Sequence, residues 1–384
     1  MPAALFWTRE SSYTFLILTE IPVGSYPVFW RMKIIYVVPE MQQGGVEECT
    51  HDLARGMVSL GNKVCLVSYG GHLLEELKNY GVQTKKAPVH RKDLFSFLRS
   101  LCILKHLCQE FQPDIIHCMS RVPAWIGYLA VRCYPHAHLV TSFHSFYNRH
   151  WPSQIMGKGE RVIAVSGSLA EYARDFFRVP EKRLRVVRNG IRMEEKKKIL
   201  EPELLRIGTL ARWSKGKGFS LFLKIMKQLV EDGQKVKGVI GVGLGERGKL
   251  AIRELEKEIT EYSLGERIEL MINPRREDFF SRIDIYAGCF TRPEGFGRVL
   301  VESQWCQVVP VASCLGAARE VIWQGKTGFL VQPWVESFVE KLKFLVENPT
   351  VRERMGQAGA DWVRKEFSVE RMVKETLDVY RELV

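Results

Sequence analysis

No apolar run in this chain approaches the roughly 18 residues that a helix needs to cross a bilayer, so no spanning helix is expected. Its nine cysteines, Cys49, Cys65, Cys102, Cys108, Cys118, Cys133, Cys289, Cys306 and Cys314, are scattered through apolar stretches and form no Cys-x-x-Cys pair. That argues against a zinc cage or a disulfide framework and for a reducing, cytoplasmic compartment. An Asp-x-Asp motif at a strand end is missing too, so no metal is expected to bridge a diphosphate. Zinc-finger spacings, RNA-recognition signatures and a basic helix with a dimer zipper are likewise lacking. A nucleic-acid-binding role therefore rests on the pI of about 9.2 alone, and no nucleic acid is expected as a partner.

The chain is 384 residues long, too long for one sheet domain and natural for two of about 170 to 190 residues. An apolar strand opens at Met32. Residues 1–31 are irregular, with Arg9 and Glu10 early and Glu20 breaking the apolar stretch, which does not fit a secretory signal. They are read as an N-terminal extension upstream of the real start, with a membrane-touching arm as the alternative. The charged stretch from Arg192 to Glu203, with Pro202 inside it, reads as a solvated linker. This places an N-terminal domain at 32–197, a C-terminal domain at 198–365 and a last helix at 366–384, its periodicity running through Met372, Leu377 and Tyr380.

The densest signal lies between Arg292 and Ser303, where Glu294 and Glu302, with seven residues between them, bracket Gly295, Phe296 and Gly297. The residues from Asp284 read as a buried strand, Glu294 as its loop, and Val299 to Cys306 as the next helix, with Glu302 about two turns in. A carboxylate on such a loop accepts hydrogen bonds from two vicinal sugar hydroxyls, while the unpaired N–H groups at a helix start suit phosphate. Taken alone, such a pair reads first as a helix cap and a solvated helix residue; the Gly-Phe-Gly context and the stretches below reverse that. Near the start, the strand from Met32 runs into Gly44 and Gly45 and then a helix through Leu53, Met57 and Leu60. Two glycines there let backbone amides approach a diphosphate, although a plain tight turn looks the same. The design recurs where a strand from Leu205 ends at Arg212, followed by Lys215, Lys217 and Gly218. Cations around such a loop stabilise the charge that develops on a departing diphosphate, or are ordinary surface charges of a turn. A third strand, from Leu139, ends at His144. The run Val239 to Glu246 is one more strand and glycine turn, whose final spacing does not fit a dinucleotide fingerprint.

Together these stretches resemble the retaining glycosyltransferases of family 4, from about Met32 to the C-terminus. The resemblance implies an α/β fold of the GT-B type, two Rossmann-like domains with parallel sheets facing across a cleft, the last helix returning to the N-terminal domain. It implies a nucleotide-diphosphate sugar donor and a glycolipid or glycan acceptor, with no cofactor and no metal. In this pattern Glu294 holds the sugar hydroxyls and Glu302 the ribose. Arg212 and Lys217 hold the diphosphate, Gly44 and Gly45 approach the phosphates, and His144 faces the transferred sugar. Gly295, Phe296, Gly297, Val299 and Leu300 line the donor. Arg192 departs from the pattern, standing where the family often has Asp. The stretches from Pro113, Thr141 and Glu160 are similar to bacterial transferases of lipopolysaccharide core assembly, which implies hexose transfer in envelope polysaccharide synthesis. A nucleotide-sugar epimerase shares the architecture and is the alternative.

Residues 32–200 hold 25 Lys and Arg against 15 acids, giving +10 of the net +12. Because the resemblance assigns the acceptor to this domain, an anionic membrane surface is the expected partner, with the protein peripheral on the inner face of the cytoplasmic membrane. The segment 89–107 makes this specific. Leu94, Phe97, Leu98, Leu101 and Leu104 share a helical face, with Arg91, Lys92, Arg99 and Lys105 around it; packing of that stripe on the sheet is the ordinary alternative.

Overall fold

The computed structural model describes residues 31–384 apart from 43, 195, 197, 200–203 and 245–247, and does not describe the side chains of 249–251. The extension expected at 1–31 therefore lies outside the described residues, save Arg31.

Among the described residues thirteen strands form two sheets. The first holds β1 (Lys33–Val37), β2 (Lys63–Ser68), β3 (Gln83–Lys86), β4 (Ile115–Cys118), β5 (His138–Phe143), β6 (Arg161–Ala164) and β7 (Leu184–Val186). Its order is β3-β2-β1-β4-β5-β6-β7, every pair parallel. The second holds β8 (Leu205–Arg212), β9 (Val236–Gly243), β10 (Ile268–Ile272), β11 (Ile285–Gly288), β12 (Val309–Ser313) and β13 (Phe329–Val331), in the order β10-β9-β8-β11-β12-β13, again all parallel. Two Rossmann-like domains with parallel sheets are what the sequence implied.

Helices cover both faces of the first sheet, which is why β1, β2 and β4 are apolar on successive residues: Ile35 and Val37 belong to one core, Ile34 and Tyr36 to the other. In each sheet the strand order reverses once, between β1 and β4 and between β8 and β11. Loops leaving the carboxyl ends of strands beside a reversal diverge and open a crevice. Gly44 and Glu294 sit on such loops and Arg212 ends β8, whereas His144 follows β5, one strand further from the reversal.

The helix Val369–Arg381 packs on the helix Gly45–Ser59 of the N-terminal domain, burying Met372, Val373, Leu377 and Tyr380. Gly56 is required there, because a Cβ would overlap the Val373 methyls. The two chain crossings between the domains lie side by side, the Ile191 N–H donating to the Phe367 carbonyl at 2.9 Å. Arg192 pairs with Glu370 at 2.7 Å beside this crossing, so the cation that departs from the family pattern joins the linker to the last helix. Among the described residues no helix is long and apolar enough to cross a membrane.

Candidate functional site

Gly44 and Gly45 open the helix Gly45–Ser59 directly after the β1 loop. Their lack of side chains lets cations of the other domain come close. A Cβ on Gly44 would lie 3.3 Å from the Arg212 guanidinium carbon and collide with the Glu47 carboxylate, and one on Gly45 would lie 3.4 Å from Arg298 Cδ. Arg212 ends β8 and is exposed. Burial raises the Glu47 carboxyl above its ordinary value, with the Arg212 charge pulling it back down.

Lys217 follows in a tight loop in which its N–H donates to the Ser214 carbonyl at 3.1 Å. The turn is then completed by Gly218 at φ 73°, where a side chain would overlap the Cys289 carbonyl, so only glycine serves. The Lys217 ammonium donates to Glu294 Oε1 at 2.7 Å, which joins two of the residues singled out in the sequence. The Glu294 backbone is pinned against Gly316, and its carbonyl accepts from Ala317 N at 3.0 Å.

Gly295 lies on the carbonyl of His144, and its own carbonyl accepts from Ser166 Oγ at 2.6 Å, so the loop spans both domains. Phe296 and Leu300 are buried in the core and Val299 packs against it. What this segment offers a ligand is therefore backbone: the helix opens at Arg298, and the first amides of a helix have no partner within it. The helix starts one residue before the expected Val299, with Gly297 at φ 78° as its cap, and Glu302 lies little more than one turn in, not the two turns expected.

Glu302 is 1% exposed and held by two arginines. Arg276 Nη1 donates to its Oε1, and Arg298 Nε lies 3.5 Å from the same oxygen. Both arginines also reach Glu48 on the N-terminal domain. Burial lowers the Arg276 pKa, with the Glu48 charge opposing that. Glu48, Arg276 and Arg298 escaped the sequence reading. Arg298 carried a signal, a charge directly after Gly297 at a helix start; Glu48 and Arg276 are separated by 228 positions and carried none.

His144 leaves the end of β5 half-buried, and its Nε2 has no hydrogen-bond partner among the described residues. Burial pushes its pKa down to about 4, and the Arg298 charge adds to the effect, so the imidazole is neutral. Beneath it lies a polar chain. His117 Nε2 meets Ser142 Oγ, His117 Nδ1 meets Tyr380 OH at 2.6 Å, and Tyr380 OH donates to Tyr36 OH at 3.1 Å. With Tyr380 donating onward, His117 carries its proton on Nδ1 and accepts from Ser142.

Arginines of one parallel-sheet domain thus meet carboxylates and the glycine loop of the other, an arrangement suited to holding an anionic nucleotide. The family description "Glycosyltransferase Family 4" matches residues 43–195, and "Glycosyl transferases group 1" matches 191–362. The chain belongs to the family 4 type of glycosyltransferases with the GT-B fold. It is 26% identical over 371 residues to the capsular polysaccharide biosynthesis glycosyltransferase CapM of Staphylococcus aureus, covering 85% of this chain and 93% of that one. Among solved structures it is similar to a glycosyltransferase from Rickettsia africae (TM-score 0.79, 23% identity, 92% of this chain and 98% of that one). It is also similar to Anabaena HepE in complex with UDP and glucose (TM-score 0.79, 18% identity, 91% and 100%).

Proposed function

We propose that this glycosyltransferase moves a hexose from a nucleoside-diphosphate sugar to a glycan or glycolipid acceptor of cell-envelope polysaccharide, of the lipopolysaccharide-core or capsular kind, with retention at the anomeric carbon. The observation that carries the reading is the contact of Lys217 with Glu294 on the domain whose Arg212 and Arg298 face Gly44 and Gly45 of the other. Glu294 takes the sugar hydroxyls, Glu302 the ribose, Arg212 and Lys217 the diphosphate, and His144, kept neutral, the rim of the transferred sugar. The bond from the anomeric carbon to the phosphate oxygen breaks, its electron pair staying on the diphosphate. Arg212 and Lys217 stabilise that charge as it forms. The acceptor oxygen attacks from the same face and its proton passes to a donor phosphate oxygen, so no carboxylate need act as nucleophile. Similarity to CapM and to a structure holding UDP and glucose supports donor and pathway class.

The acceptor domain is proposed to rest on the anionic inner face of the cytoplasmic membrane. The helix Leu94–Phe111 supports this in a modified form. The single stripe expected from 94 to 104 is divided: Leu104 is buried, Phe97 and Leu101 pack on the core, whereas Leu94, Phe95 and Leu98 are 72%, 75% and 50% exposed. Arg91, Lys92 and Arg99 around them are exposed as well. The helix packs on the sheet with one face and presents a basic, apolar patch with another.

Thermal unfolding with a panel of UDP-, GDP- and ADP-sugars, followed by hydrolysis of those that protect, tests the donor assignment. One class of sugar nucleotide is expected to raise the melting temperature and to be hydrolysed slowly; protection by none of them would overturn it.

A further inference from the structure

Glu48 stands in the first turn of the helix that follows the glycine loop, and its two oxygens are divided between two arginines of the other domain. Oε1 accepts from Arg276 Nη2 at 2.8 Å and Oε2 from Arg298 Nη2 at 3.2 Å. The same arginines approach Glu302 Oε1 from the far side. Arg298 is anchored further by donating to the Gly190 carbonyl at 3.2 Å. Glu302 Oε2 is buried and has no hydrogen-bond partner among the described residues. A buried carboxylate oxygen without a donor is costly, and a ligand hydroxyl is the group that would satisfy it.

Two guanidinium groups beside a single carboxylate tend to take both of its oxygens in a forked pair. Glu48 prevents this. By drawing one nitrogen of each arginine towards the N-terminal domain, it leaves them only Oε1 of Glu302. We propose that Glu48 is a positioning residue for the donor, acting through Arg276 and Arg298 to keep Glu302 Oε2 available to the ribose hydroxyls. The glycine-loop domain thereby contributes to ribose recognition without touching the ribose. The proposal rests on the assignment of Glu302 to the ribose.

Affinities for UDP, GDP and ADP, each beside its 2′,3′-dideoxy counterpart, measure the ribose contact directly. For the diphosphate that binds, the parent is expected to prefer the ribose form by about tenfold or more, the size of a hydrogen bond to a charged group. Glu302→Gln should bring that ratio towards unity. Glu48→Gln should lower it too, Glu48→Asp less so, and the double variant Glu48→Gln with Glu302→Gln should match Glu302→Gln alone, because the effect of Glu48 passes through Glu302. A general loosening of the fold would weaken both nucleotides of a pair alike and leave their ratio unchanged. If Glu302→Gln loses the preference while Glu48→Gln keeps the parent ratio, or if the two losses multiply in the double variant, Glu48 has no such role. If the parent binds a diphosphate without preferring its ribose form, the ribose assignment falls and the proposal with it.

Discussion

Lys217 and Glu294 hold one another at 2.7 Å, so neither can be removed without taking an ion-pair partner from the other. Glu294→Gln keeps the shape and loses the charge. Turnover is expected to fall far more than affinity for the free nucleotide, since Glu294 is assigned to the sugar; parallel hydrolysis assays and nucleotide titrations check this, and unchanged turnover removes Glu294 from the site. Lys217→Ala and Arg212→Ala should each lower turnover by about 10²–10³, the range for losing a preorganised charge contact in a transition state. The two histidines predict a pH response. Burial drives His117 down to about 3, with His144 adding to it, and drives His144 down to about 4. An unfolded chain takes up these protons near pH 6.5, well before the folded one can. Their contribution is therefore complete above about 6.5 and is lost as the pH falls towards 4 and 3. Melting temperature should decline between about pH 7 and 5, before most carboxylates titrate, and His144→Gln should make that decline shallower. An unchanged slope would mean that His144 takes up its proton over the same pH range in the folded and unfolded chain.

At the scale of elements, what was legible depended on how local the cause was. Ile34, Ile35 and Tyr36 announce a doubly covered parallel strand by apolar character alone, and Lys217, Gly218 and Phe219 announce a turn whose backbone admits only glycine. The helix Leu94–Phe111 was legible in its existence and not in its facing. A period of 3.6 finds the stripe through Leu104, but where the sheet ends, leaving Leu94, Phe95 and Leu98 uncovered, is decided by neighbours distant in sequence. The polar chain from Tyr36 to Ser142 was invisible for the same reason, since His117 and Tyr380 are 263 positions apart. The uncovered end of that helix predicts vesicle binding. Each cation near an anionic surface contributes about 1 kcal/mol, so Arg91, Lys92 and Arg99 changed together to Gln should cost about 3 kcal/mol of membrane affinity. Sedimentation with phosphatidylglycerol vesicles measures this, with added salt weakening the parent's binding and donor hydrolysis unaffected. Equal sedimentation of the parent with neutral and anionic vesicles would return the segment to its packing role alone.

For the whole molecule, the question is what holds the two domains over the crevice. Beside the paired crossings at Ile191 and Phe367, the Glu48 contacts and the Ser166 bond to Gly295, a further carboxylate joins them. Glu320, on the short helix Ala318–Val321, reaches the start of the helix Gly167–Phe177 in the other domain. Its Oε2 accepts from Gly167 N at 2.8 Å, and its Oε1 from Ser168 N at 2.8 Å and Ser168 Oγ at 3.0 Å. Arg188 Nε lies 3.6 Å away on the same carboxylate. A carboxylate at a helix N-terminus satisfies amides that the helix itself cannot and meets the positive end of its dipole, an interaction of about 1 kcal/mol. Losing this contact removes no apolar side chain from the buried clusters, so it should act on the relation between domains and hardly on their folding. Glu320→Ala is expected to increase the radius of gyration in small-angle scattering, to raise the KM for the donor several-fold because Arg212 and Gly44 then face one another less often, and to shift the melting temperature by only a few degrees. Glu320→Gln, able to accept with one oxygen and uncharged, should fall between. Scattering curves that coincide for the parent and Glu320→Ala, with and without nucleotide, would mean that the remaining contacts hold the domains together without this carboxylate.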